Sequence, residues 1–264
     1  MRDAARALLD RLTSIARSID RTFRGCLGTR EHPAQPAPPQ QIVKLDATST
    51  HALNTVRTLC NHLLSIVGSP NACAGLFRAC ASPNVLVSAR QTIHNGQALD
   101  ASTLSPAACG NLIKEGMRGI WNASISDLQR AATHSLNLPA GSSVADISAA
   151  LDSQPGKARA TFNSALMAQI HSKLAQSLQN DEKKLSIAKD SLMTLGSIYN
   201  AAPTDIQLPF NKTSMACGFN VIGDVETKDS DAASILAAMK EVELALPIFW
   251  SAIGDAAPIE STNL

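Results

Sequence analysis

A charge excess of either sign is missing from this chain: 23 Lys and Arg stand against 22 Asp and Glu, for a net charge of +1. Without a basic excess, nucleic acid is not expected as a partner. Long apolar runs are missing too, so no stretch is expected to span a bilayer. The N-terminus is too broken by Asp10, Arg11 and Arg17 to form the apolar part of a secretory signal. The six cysteines, at 26, 60, 73, 80, 109 and 217, form no Cys-x-x-Cys pair and are spaced like small core residues. A disulfide framework is therefore not expected, and soluble, reducing, cytoplasmic surroundings are. Histidines at 32, 51, 62, 94, 134 and 171 are scattered, and Cys60 and His62 point to different sides of one helical pattern, so no metal site is expected. There is no Gly-x-Ser-x-Gly elbow and no zincin histidine pair. Gly156-Lys157 is followed by Ala158 and lacks the upstream glycine of a phosphate-binding loop. Acidic residues mostly occupy helix starts, as capping or solvated groups. No set of residues reads as an enzyme active site complete in itself, and no cofactor of the chain's own is expected.

What is present is apolar periodicity. With 45% apolar residues in 264, the chain can bury a sizeable core, most simply as one domain with appendages. Residues 1–26 form a basic amphipathic pattern: Leu8, Leu12, Ile15, Ile19 and Phe23 share one face, and Arg2, Arg6, Arg17, Arg21 and Arg24 the other. Three readings are open for it: a helix on an anionic membrane surface, a terminal helix packed on the domain, or a targeting or export segment. Residues 27–49 hold His32-Pro33, Pro36, Pro38-Pro39 and Gln40-Gln41 and read as an extended Pro-rich linker.

From residue 50 to 256 helical signals are dense and strand signals almost absent, and 257–264 is a tail. Leu53, Val56, Leu59, Leu63, Leu64 and Val67 form an apolar stripe that stops at Gly68. Ser82-Pro83 opens a second stripe, Val85, Leu86, Ala89 and Ile93, which ends at Asn95-Gly96. Ser105-Pro106 opens a third pattern carrying Leu112, Ile113, Lys114, Met117 and Arg118. Shorter patterns follow at about 124–138 and 143–152, the latter capped by Ser142 or Ser143 with Asp146 in its first turn. Phe162, Leu166, Ile170, Leu174 and Leu178 repeat every fourth residue. Leu185, Ala188, Leu192, Leu195 and Ile198 follow Asp181, a short pattern begins at Asn211, and Asp231 opens a last helix that Pro247 kinks or restarts. The expected fold is all-α, with about eight to nine helices and no repeat period.

One loop stands out in this frame. Gly75-Leu76-Phe77-Arg78 lies between two helical patterns, which places Arg78 on a short connection. Such an arginine can pack its stem on apolar neighbours, cap a helix, or offer a planar donor to a phosphate. The series that follows includes Asn84, Val85 and Val87, then His94-Asn95-Gly96, Asp100, and Asn111-Leu112-Ile113-Lys114-Glu115-Gly116-Met117-Arg118. In order and spacing it resembles a RhoGAP domain, a family with a Gly-Ile/Leu-Phe-Arg loop bearing an arginine finger and a later helix with a Leu-Lys-x-x-Leu-Arg pattern. Lys114 and Arg118 keep that spacing of four, which puts both on one helix face. Leu192 to Tyr199 and Asn211-Lys212 look like the family's late helix and its Asn-Lys-Met turn. The resemblance covers about residues 53 to 253.

The resemblance implies a divergent RhoGAP-like domain that activates a Rho-family small GTPase. The chain would be no enzyme by itself but an activator in trans, acting on GTP and Mg held by its partner. A GTPase hydrolyses GTP slowly because charge developing on the phosphate oxygens is incompletely compensated, and an inserted guanidinium supplies the missing donors. By resemblance Arg78 is that catalytic finger. Lys114 and Arg118 would brace its loop or contact the GTPase; the bland alternative is a solvated helix face. The family's GTPase-binding asparagine falls, by ungapped counting, on Cys217, with Asn220 one turn away as a stand-in, and cysteine is a weak donor. The family's Leu-Pro-x-Pro is replaced by Gly119-Ile120-Trp121-Asn122. These departures keep open a RhoGAP-like module that binds a GTPase or another partner without accelerating hydrolysis, and beside it an unrelated helical domain in which Arg78 is structural. The arginine-rich first helix would carry the activator to the membrane where such GTPases reside. The alanine-rich, aromatic-poor composition and short tethered chain lean toward a bacterial effector working in a host cytosol rather than a host protein.

Overall fold

In a computed structural model, the structure describes residues 45, 49–68, 76–77, 79–117, 120, 123–154, 156–204, 207 and 232–256. Among these residues there is no strand. The elements are α1 (Thr50–Ile66), α2 (Pro83–His94), a 3-10 turn (Ala101–Thr103), α3 (Pro106–Met117), α4 (Ile125–Ser135), α5 (Val144–Ser153), α6 (Lys157–Ser177), α7 (Glu182–Ala201) and α8 (Ala232–Asp255). The all-α expectation holds. No described helix is long and apolar enough to cross a membrane.

The helix starts follow local chemistry. The Ser49 hydroxyl accepts from the Ala52 amide, the Asp181 carboxylate from the Lys184 amide, and the Ser105 hydroxyl from the Ala108 amide, each meeting a donor that the first helical turn leaves unpaired. Of the two candidate caps of α5 it is Ser143 that acts, in a reciprocal capping box with Asp146. Pro83 sits at the start of α2, and α2 ends at Asn95, with Gly96 beyond it at φ +71°.

α1 packs against α7 and α3, α8 lies along α7, and α4 lies along α6. The every-fourth-residue series Phe162, Leu166, Ile170, Leu174 and Leu178 is buried throughout. α7 and α8 cross at Gly196 and Gly254, where a Cβ on either would meet the other helix's backbone. This close approach requires glycine on both sides.

Two expectations need correction. Leu64 is 37% exposed and Val85 41% exposed, because each lies one step, about 100° of helical turn, from a buried neighbour, Leu63 and Leu86, that already fills the core-facing stripe. Pro247 does not restart the last helix, since α8 runs continuously from Ala232 to Asp255. The buried Val242, Ala245, Leu246, Phe249 and Trp250 hold the chain in register on both sides of the proline. Asp127 is the expected acidic residue at a helix start: it caps α4 by accepting from the Ser124 amide, and it is fully buried.

The amphipathic segment 1–26 with Leu8, Leu12, Ile15, Ile19 and Phe23 lies outside the described residues, as do the pattern from Asn211 and the tail 257–264. Of the linker, Leu45 and Ser49 are described. Leu45 packs on the core and its amide donates to Glu115 Oε1 at 3.1 Å, so the folded body reaches back to that residue.

Candidate functional site

The residues on either side of Arg78 in sequence are both held by α3. Phe77 is buried and takes φ +58°, a left-handed backbone that a bulky side chain adopts only when its surroundings enforce it. The enforcement is visible. Lys114 Nζ donates to the Phe77 carbonyl at 3.0 Å, and Gly110, one turn earlier on α3, lies flat against Phe77. On the other side, Asn111 Nδ2 donates to the Ala79 carbonyl at 2.9 Å and to the Ala107 carbonyl at 2.6 Å. Two carbonyls converge on that amide, so the atom facing them must be the nitrogen.

The same helix continues the arrangement at Glu115. Its carboxylate accepts from Arg90 Nε at 2.8 Å and from the Leu45 amide, tying α3 to α2 and to the start of the described chain. One and a half turns of α3 therefore grip three separate segments through Gly110, Asn111, Lys114 and Glu115. This layout follows from helical spacing, since 110, 111 and 114 fall on one face.

Lys114, one of the predicted site residues, is in the grip and only 9% exposed. The solvated-face alternative is thereby excluded for it. Burying an ammonium is costly unless its donors are used, and among the described residues one is used, on the Phe77 carbonyl. Arg78, Arg118, Cys217 and Asn220 lie outside the described residues. Gly110 was not singled out by sequence reasoning, and Asn111 and Glu115 entered only as members of the Asn111-to-Arg118 series with no role given, although the i, i+3 and i, i+4 spacing of Gly110, Asn111 and Lys114 carried the signal.

Among the described residues no group of three His, Cys, Asp or Glu could hold a metal. Burial pushes the Cys109 thiol up to about 11 and the Cys60 thiol higher still, so neither is a ready nucleophile. The open cleft over α2 is lined by Asn84, Val87, Ser88, Gln91, Thr92, Asn95 and Gln97, with no titratable group among them. Compared with protein-family models, with curated proteins and with solved structures, the chain matches none of them.

Proposed function

We propose that this chain is a GTPase-activating protein for a Rho-family small GTPase, inserting Arg78 into the partner's nucleotide site. The observation that supports the reading is the two-sided hold on the backbone next to Arg78: Lys114 on the Phe77 carbonyl and Asn111 on the Ala79 carbonyl. A finger in trans works by delivering a guanidinium to a fixed point, and catalysis of this kind consists almost entirely of positioning and charge. A loop anchored on both sides of the arginine serves that purpose; a stem merely packed on the surface needs no such anchorage. GTP and Mg stay with the partner. The support comes from this chain's residues and not from a relative.

A second reading, a module that binds a GTPase without accelerating hydrolysis, is favoured by one feature, Cys217 where the RhoGAP resemblance expects asparagine. The basic face of residues 1–26 fits an anionic membrane in either case.

Phosphate release from a panel of GTP-loaded Rho-family GTPases separates these readings. Acceleration of about a thousandfold that vanishes in Arg78→Ala, with binding retained, is the expected result. Binding without acceleration transfers the conclusion to the second reading, and Cys217→Asn is then the variant to restore turnover. Neither binding nor acceleration with any of the panel overturns both.

A further inference from the structure

Asn111 stands three residues before Lys114, on the same face of α3, and reaches across to the Ala79 carbonyl while Lys114 reaches the Phe77 carbonyl. Its amide has two hydrogens, and both are spent on carbonyls, Ala79 and Ala107. The Ala107 bond is the local i to i−4 contact that any small polar helix residue can make. The Ala79 bond spans 32 positions and ends one residue past Arg78. An alanine at 111 would favour the helix, so helix propensity does not account for an asparagine there.

We propose that Asn111 is a positioning residue for Arg78, fixing the backbone on its C-terminal side as Lys114 fixes it on the N-terminal side. The anchor itself stands on the hydrogen bond; its role in GTP hydrolysis rests on the reading given above. With one side released, the arginine keeps its charge and its chemistry but loses the fixed origin from which it is aimed. The effect falls on turnover with the partner bound, not on affinity.

Two variants of the full chain test this, Asn111→Ala and the near-isosteric Asn111→Asp, whose carboxylate can only accept and so repels both carbonyls. Two readouts are needed. The first is trypsin cleavage of the Arg78–Ala79 bond, followed by fragment mass, which asks about the anchor alone. One lost hydrogen bond should raise the initial rate at that bond about fivefold or more relative to other sites, at an unchanged melting temperature. The second is GTP hydrolysis by the partner at saturating and limiting concentrations of the chain. The maximal acceleration should fall about tenfold with the half-saturating concentration unchanged, and Asn111→Ala should add nothing in an Arg78→Ala background. Unchanged cleavage overturns the anchor whatever the activity. Faster cleavage with full acceleration, or an equal loss with and without Arg78, overturns the positioning role. Faster cleavage by a chain that accelerates no GTPase sinks the activator reading and leaves the anchor standing.

Discussion

Gly110 lies so close to Phe77 that a Cβ at position 110 would stand 3.2 Å from the Phe77 backbone nitrogen and 3.3 Å from its ring. The neighbour that would have to give is buried backbone in a left-handed conformation, which leaves it little freedom. Gly110→Val should therefore lower stability by about 2 kcal/mol or more, because overpacking outweighs what the helix gains from losing a glycine. Urea denaturation measures it. An unchanged midpoint would mean that α3 and the Phe77 loop are not in contact as described.

Lys114 separates stability from function. Lys114→Met keeps the length of the side chain and removes a buried ammonium, at the cost of its hydrogen bond to the Phe77 carbonyl. These terms oppose each other, so the melting free energy should move by no more than about 1 kcal/mol. If the chain is the activator proposed above, GTPase acceleration should nonetheless fall about tenfold or more, since the carbonyl next to Arg78 is released. Thermal unfolding and phosphate release on the same preparation check the pair. Equal losses in both would make Lys114 a general stabiliser and deprive the loop of its special hold.

How much of this was written in the sequence depends on range. The helices were legible because their signals repeat within a few residues: Phe162 to Leu178 at every fourth position, Ser143 with Asp146, Asp181 before Glu182. Lys114 was legible as a residue to watch, through its spacing to Arg118 and its distance from Arg78, but its burial was not, since a charged residue in a helical pattern gives no sign of which face meets another element. Asn111 joins Ala79 across 32 positions and Asp127 joins Lys173 across 46. Pairings of that separation are fixed by which helices pack together, which local periodicity does not specify.

Asp127 illustrates the energetic weight of such a pairing. Its carboxylate is fully buried and accepts from Lys173 Nζ at 2.6 Å, Arg130 at 2.6 Å and the Ser124 amide at 2.8 Å, joining α4 to α6. Burial alone would raise its pKa, but the hydrogen bonds from Lys173, Ser124 and Arg130 together outweigh that and hold it below the ordinary carboxylate value. Asp127→Asn leaves the Lys173 ammonium without its counter-charge and should cost about 3 kcal/mol, measured by chemical denaturation. Because the folded pKa is depressed, the stability this carboxylate contributes is present above 3.8 and is lost as pH falls from there through the folded value. A wild-type acid transition unchanged by Asp127→Asn would rule out this carboxylate as its source.

His171 acts in a different pH range. It sits on α6 with Nε2 buried and without a hydrogen-bond partner among the described residues. Burial first, and the Lys189 charge second, hold its pKa below the ordinary 6.5. In the unfolded chain the imidazole takes its proton at the ordinary value, whereas the folded chain accepts it only at lower pH. Between the two values the unfolded state binds more protons, so stability rises with pH. The contribution is complete above 6.5 and is lost as pH falls through the folded value. Asp127 titrates below this window and does not obscure it. His171→Leu removes the titration while keeping an apolar filling, so the stability of the variant relative to the unaltered protein should improve on going from about pH 7.5 to about pH 5.5. Melting temperatures of both proteins at the two pH values measure the difference. If that difference is the same at both, the imidazole is not held neutral by its surroundings, and the buried Nε2 has found a partner.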